Sequence, residues 1–431
     1  MSIQSLLHKS LFKHTLIYTI TDGVSKGLAF LTLPLISHYL VPEELGIAAN
    51  FDVLQNILML LAGQAVVNGM PYFYYGKTKD EQASIVTAML AIVLVSNILF
   101  SVIIFFSTGM LSKYLHIGLL LQLLTVVSVV SQLTTNLNLV LYRLEEKPYK
   151  FASLQLAQTI IYLSLLVVFV VVLRMNAAGK ILSTIVSFSL LATVHLILLA
   201  KRGYFRFPVK KKATVDLMKF GLPLLPHSLS FWFKSGFDKI IITSFCGLAI
   251  NGIYSMALSF GALYTIFNNA FSNSYIPYLQ KRISNFTPDT IDVEKKRLVL
   301  FSYKMMFGFA LLSIIVIALC WLAIKYVLDP QYIDSFQFIP WIMIGLTFNS
   351  MYGLVIQFPY SVKKTLGLGV VTFSGSVVQL ILTYLLVSNI GVDGVKISYV
   401  VGSFIIMMGV WIYSNKVYPM PWFSFVELSK K

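Results

Sequence analysis

Charge is scarce in these 431 residues: Asp, Glu, Lys and Arg make up only 12% of the chain. A soluble domain carries about twice that share, so a charged, solvated surface around one core is excluded. Cysteine is nearly absent. The two present, Cys246 and Cys320, rule out a disulfide framework or a thiolate metal cage and, lying at or within apolar runs, read as small hydrophobes. Histidine is sparse and isolated; His38, His195 and His227 have no second histidine at ligand spacing and read as structural or interfacial. No metal site and no cofactor are expected. The chain also lacks HEXXH, Walker A, Gly-x-Ser-x-Gly and kinase signatures, so an ATP-driven pump would need a separate ATPase subunit.

Apolar residues dominate instead, at 57% of the chain with a mean hydropathy of +0.81. A spanning helix needs about 20 apolar residues, and the runs predict twelve spans: 14–38, 46–72, 84–107, 117–141, 151–173, 178–200, 217–245, 249–276, 299–326, 335–360, 366–388 and 393–414. These runs are too long and too continuously apolar for the alternating strands of a membrane barrel. The expected fold class is therefore an all-α integral membrane protein. The first run contains Asp22, Lys26 and Pro34 and reads as a retained span, not a cleaved signal peptide.

The basic residues occupy alternate connections. One set of loops carries Lys9 and Lys13, Lys77 and Lys79, Arg143, Lys147 and Lys150, the run Lys201 to Lys212, Lys281 to Arg297, Lys363 and Lys364, and the terminal Lys416, Lys430 and Lys431. The opposite connections hold Lys113, Arg174 and Lys180, with Glu43, Glu44, Asp329 and Asp334. Both termini are thus expected in the cytoplasm. The net charge of +16 follows from this topology and the anionic inner leaflet, and nucleic-acid binding is not expected. The basic segment reads as a surface-lying linker, with an anionic-lipid contact as the sharper alternative.

A weak repeat divides the chain. Gly46 and Gly252, Ile47 and Ile253, Pro71 and Pro277, Tyr72 and Tyr278 share one offset of 206 positions, unless apolar helices are simply alike by chance. Six spans precede the basic run and six follow it. The expected organisation is an N-terminal six-helix bundle at 1–200, a linker at 201–216 and a C-terminal bundle at 217–431, two parallel-related copies around a central cavity.

Ionisable residues inside spans are costly in hydrocarbon and so face protein, water or substrate. Asp22 and Lys26 lie four apart in span one, Asp52 is in span two, and span seven holds Lys234, Asp238 and Lys239, with Lys234 and Asp238 again four apart. Two readings stand. The i,i+4 pairs neutralise one another and hold helices together, or Lys26, Lys234 and Lys239 bind an anionic headgroup while Asp22, Asp52 and Asp238 serve ion coupling. Amides and tyrosines suited to sugar hydroxyls and ring faces lie nearby: Gln55, Asn56, Gln64 and Asn68 in span two, and Tyr264, Asn268, Asn269, Asn273 and Tyr275 in span eight. Interhelical hydrogen bonding is the competing role for each.

With twelve spans, the opening from Gly23 to Gly46, the Tyr142-Arg143-x3-Lys147 turn, Tyr360-x2-Lys363-Lys364 and Gly391-Val-Asp-Gly394, the chain resembles the polysaccharide-transport (Wzx-type) flippases of the multidrug/oligosaccharidyl-lipid/polysaccharide exporter superfamily. The resemblance implies two rocking six-helix bundles that carry undecaprenyl-pyrophosphate-linked oligosaccharide across the bacterial inner membrane for O-antigen or capsule assembly. It also implies coupling to H+ or Na+, and a polysaccharide polymerase and chain-length regulator as partners. A cation-coupled multidrug antiporter of the same superfamily is the alternative. A peptidoglycan lipid flippase would carry two further spans, and a membrane glycan ligase or polymerase would need a larger outer loop; no enzyme is expected.

Overall fold

The computed structural model describes residues 3–362, 364 and 366–423; the side chains of residues 3–13, 15, 29, 227, 230, 231, 234 and 235 are outside the described set. Lys363, Lys430, Lys431 and the side chains of Lys9, Lys13, His227 and Lys234, all named above, therefore lie outside the described residues. Regular structure among the described residues is entirely helical, as an environment without water to satisfy the backbone demands. α1 (Ile3–Phe30) and α2 (Thr32–Tyr39) precede α3 (Pro42–Met59), which continues through a π turn at Leu60–Gln64 into α4 (Ala65–Asn68) and α5 (Met70–Tyr74). Then come α6 (Lys79–Leu115), α7 (Leu119–Leu144), α8 (Pro148–Leu166) with a π extension to Val172, and α9 (Asn176–Lys201). α10 (Lys211–Gly221), a 3-10 turn, α11 (Leu225–Ser235) and α12 (Phe237–Cys246) lead to α13 (Leu248–Ser284). α14 (Ile291–Tyr326), α15 (Ile339–Val355), α16 (Gln357–Ser361), α17 (Leu366–Ile390) and α18 (Val392–Val417) complete the chain.

Among the described residues ten stretches are long and apolar enough to cross a membrane, so the protein is a multi-pass membrane protein. The first and seventh expected spans are the two that do not qualify. Span one is divided between α1 and α2 at Leu31. Span seven is cut twice, by Pro223 in the 3-10 turn and by Gly236, which leaves helical geometry at φ −124°. Proline lacks the amide proton a helix needs and glycine carries the largest entropic cost of helical order, so both breaks have a local cause. Helix starts are set locally as well. Thr78 accepts from the Glu81 amide at 3.3 Å while the Glu81 carboxylate accepts from the Thr78 amide at 2.9 Å, a reciprocal cap for α6.

The chain forms two compact units, Met1–Ser255 and Met256–Lys431. The core of the first unit gathers Phe51 and Leu54 of α3, Val86 and Met89 of α6, Leu133 and Leu137 of α7, and Ile181 of α9. Within it the starts of α3 and α13 cross so closely that two matched glycines are obligatory. A Cβ on Gly46 would lie 2.2 Å from the Leu248 carbonyl oxygen, and one on Gly252 would lie 1.8 Å from that of Pro42. Pro42 and Leu248 stand at the same 206-residue offset as the glycines, so the contact is reciprocal. The second unit packs α17 on α18 through small residues, with Gly375 under Ile406 and Gly402 under Gln379, close approach being the main source of helix affinity where lipid is as apolar as the side chains.

Candidate functional site

A cavity of about 370 Å³ lies inside the first unit, lined by Asn56, Met59, Leu60, Gln64, Ala65 and Asn68 on one side and by Ser228, Trp232 and Gly236 on the other. The sequence builds it at two helix defects. On the first wall the π turn holds Gly63 at φ 141°, ψ 9°, a conformation that glycine alone adopts cheaply; such widened turns recur at functional sites. On the second wall the break at Gly236 separates α11 from α12. Every lining residue among the described ones is uncharged. Asn56 and Asn68 are exposed and Gln64 is half-buried, and among the described residues their side-chain amides have no hydrogen-bond partner.

The charged residues stand apart from this lining. Asp52 is on the same stripe of α3 as Asn56 and Met59, one turn (about 5.4 Å) before the cavity. Its carboxylate lies 3.9 Å from Lys180 Nζ, the lysine side chain only 16% exposed and the aspartate 44%. Lys180, read from sequence as an outer-connection cation, is thus turned inward at the start of α9, and the Lys239 ammonium is near enough to act on it electrostatically. Lys239 is half-buried and among the described residues its ammonium has no hydrogen-bond or ion-pair partner.

Asp22 and Lys26 do not meet as an i,i+4 pair. Asp22 accepts from Gln155 Nε2 at 2.7 Å and faces Arg143 at 3.9 Å, while Lys26 is exposed. Packing of α1 on α8 brings Gln155 closer than the side chain one turn away. Asp238 is buried, accepting from the Tyr254 hydroxyl at 2.7 Å and the Lys239 amide at 2.8 Å. Gly236 breaks the helix between positions 234 and 238. The Lys234 side chain itself lies outside the described residues.

Of the sugar-contact candidates, the cavity brings together Asn56, Gln64 and Asn68. Gln55 is one position, or 100° of helix, away; it is buried and accepts from Ser128 Oγ at 3.1 Å. In the second unit Asn268 is half-buried and Asn269 and Asn273 are exposed. Tyr264 and Tyr275 are buried, the latter stacked between Phe271 and Phe301 at centroid distances of 5.3 and 5.8 Å. Trp232 and Ser228 were not singled out from sequence. Their signal was there: Trp232 and Gly236 are four apart, which sets the indole against a residue without a side chain.

A second polar cluster joins the 142–147 turn to the end of α9. Glu145 accepts from Arg202, Tyr204 and Lys147, the last at 2.8 Å. Arg202 also donates to Asn138, whose amide meets His195 Nδ1 at 2.7 Å, and its guanidinium lies 4.1 Å over the Tyr142 ring. Lys79 sits 3.2 Å over the Tyr204 ring. Burial alone would push the Glu145 carboxyl up, but the bonds from Lys147, Tyr204 and Arg202 outweigh it and hold the group down to about 2. The same carboxylate, after burial, pushes the Tyr204 phenol up.

Residues 35–285 match the family model described as polysaccharide biosynthesis protein. An Lsg locus protein of Haemophilus influenzae is 20% identical over 362 residues, 82% of this chain and 85% of that protein. Among solved structures, the lipid II flippase MurJ in an inward closed conformation superposes with a TM-score of 0.73 at 14% identity, covering 94% of this chain and 88% of that one. An inward-facing multidrug resistance MATE family transporter of the MOP superfamily gives 0.66 at 13% identity, covering 91% and 94%.

Proposed function

This chain belongs to the polysaccharide biosynthesis protein family and has the fold of the multidrug/oligosaccharidyl-lipid/polysaccharide exporter superfamily, and from that premise we propose that it is a flippase for lipid-linked oligosaccharide. The cargo we propose is an undecaprenyl-pyrophosphate-linked repeat unit, moved from the cytoplasmic to the periplasmic leaflet of the bacterial inner membrane for O-antigen or capsule assembly. The observation that carries this reading is the amide-lined cavity, without a charged residue among the described ones, set against the membrane-spanning stretch Pro42–Tyr74. A glycan cannot shed its water into hydrocarbon, because each unpaired hydroxyl costs several kcal/mol there (about 2–7 by reference state). Free amides replace that water, while the polyprenyl tail stays in lipid.

In this reading the repeats at 1–200 and 217–431 rock about the linker at 201–216 in alternating access, with both termini cytoplasmic. Lys239, half-buried and unpaired among the described residues, is the first choice for the pyrophosphate, with Lys26 and Lys234 as further candidates. Asp52 is the first choice for coupling to H+ or Na+, since its partner Lys180 is at 3.9 Å, whereas Asp22 and Asp238 are engaged by Gln155 and Tyr254. A polymerase and a chain-length regulator would take the exported unit onward.

The test is the leaflet location of the lipid-linked glycan in cells lacking the protein, read with a periplasmic glycan-specific probe. Accumulation on the cytoplasmic side, relieved by re-expression and poorly relieved by Lys239→Ala, is the expected result. Normal exposure outside would overturn the proposal and direct attention to dye efflux by a multidrug antiporter.

A further inference from the structure

We infer that the cavity is a subsite for one neutral pyranose ring, stacked on Trp232, so that this chain selects cargo by an uncharged sugar and not only by its lipid anchor. The inference rests on the flippase reading and names the chemistry of its site. Trp232 is held from several directions. Its indole N–H donates to the Val53 carbonyl at 3.3 Å. The Phe237 ring meets it edge-on at 5.5 Å and 79°. Gly236 lies directly beneath, where a Cβ would come within 2.8 Å of the indole nitrogen. With the polar edge tied to α3 and the ring packed on its neighbours, what the indole offers the cavity is apolar surface, pre-positioned without further loss of side-chain entropy.

The same cavity is lined by the amides of Asn56, Gln64 and Asn68, which have no hydrogen-bond partner among the described residues. Each amide has donors and an acceptor, which suits hydroxyls that both give and take hydrogen bonds. A pyranose has this division, with C–H groups on its faces and hydroxyls around its rim. An acidic sugar fits worse, because no cation lines the cavity among the described residues and the Asp52 carboxylate stands one turn away on the same stripe of α3. An apolar cation fits worse still. It would cover three amides without bonding them, and sites built to bond hydroxyls reject analogues that lack them.

The test uses the full chain in lipid nanodiscs and NMR titration with three probes: methyl glucoside, glucuronate and tetraphenylphosphonium. The neutral glycoside should bind more tightly than glucuronate. Trp232→Ala should weaken it about tenfold, Trp232→Phe by no more than about threefold, and Gly236→Ala should weaken it by displacing an intact indole. If Trp232→Ala does not accumulate, Trp232→Phe and Gly236→Ala carry the test. Unchanged glycoside binding in Trp232→Ala, or in Gly236→Ala where only that variant accumulates, overturns the subsite. So does tighter binding of glucuronate, or displacement of the glycoside by tetraphenylphosphonium. Running the leaflet assay on the same proteins separates the two ideas. Export by wild type with equal export and binding by Trp232→Ala defeats the subsite alone, whereas no export by wild type defeats the flippase reading.

Discussion

Two polar regions of the first unit use the same side-chain chemistry to opposite ends. Around Glu145 the polar groups are largely engaged: Arg202 bonds Glu145 and Asn138, Asn138 meets His195, and Tyr204 closes on the same carboxylate. Around Trp232 the indole N–H is bonded to Val53, but Asn56, Gln64 and Asn68 are left facing a cavity. Asparagine serves both. What separates structure from site is whether the neighbouring fold completes the hydrogen bonds, as buried groups require, or leaves them open, as the exposed Asn56 and Asn68 allow.

The largest effect that would sharpen this contrast is Arg202→Met. It leaves the Glu145 carboxylate, 11% exposed, without its guanidinium, and should cost about 3–5 kcal/mol, measured as unfolding in detergent or as loss of membrane accumulation. Next comes acid. The Glu145 carboxyl is held at about 2 against an ordinary 4.5, so its stabilisation is complete above pH 4.5 and is lost as pH falls toward 2. The wild type should lose up to about 3 kcal/mol across that window, and Glu145→Gln, less stable at neutral pH, should respond less. A wild type that responds no more than Glu145→Gln would break the argument for this network.

The third prediction sets one deletion against itself. Asn138→Ala orphans partners on Arg202 and His195 and should cost about 1–3 kcal/mol, whereas Asn56→Ala and Asn68→Ala should stay within about 0.5 kcal/mol of wild type while lowering glycan export severalfold. Equal stability losses at all three positions would erase the distinction. Small in stability as well is Lys180→Met. Its partner Asp52 is half-exposed at 3.9 Å, so about 1 kcal/mol or less should go, with any change in export confined to its dependence on ion gradient.

How far these regions could be read in advance differs by residue. Asn56, Gln64 and Asn68 were legible, since polar side chains within an apolar run must face protein or water. Gln55 has identical chemistry and the opposite fate, because one step of helix rotates it onto Ser128. Asp22 and Lys26 have ideal i,i+4 spacing, yet that pairing is worth only about 0.2–0.5 kcal/mol, less than α8 offers through Gln155. Lys180 was hidden for a related reason. Four residues into α9, it counts as a loop cation by position, and only the approach of α3 brings Asp52 to it.

By itself the sequence determined that the chain is helical and crosses the membrane many times, and it marked matched glycines at positions 46 and 252. Those properties depend on local sums, such as apolar run length, backbone satisfaction within one helix and proline or glycine punctuation, which need no knowledge of neighbours. Only the tertiary structure decided which polar groups are partnered and which are free. That is a matter of distances between residues remote in the chain, as from Glu145 to Arg202 or from Val53 to Trp232, and hydrogen bonds fade within an ångström of their optimum.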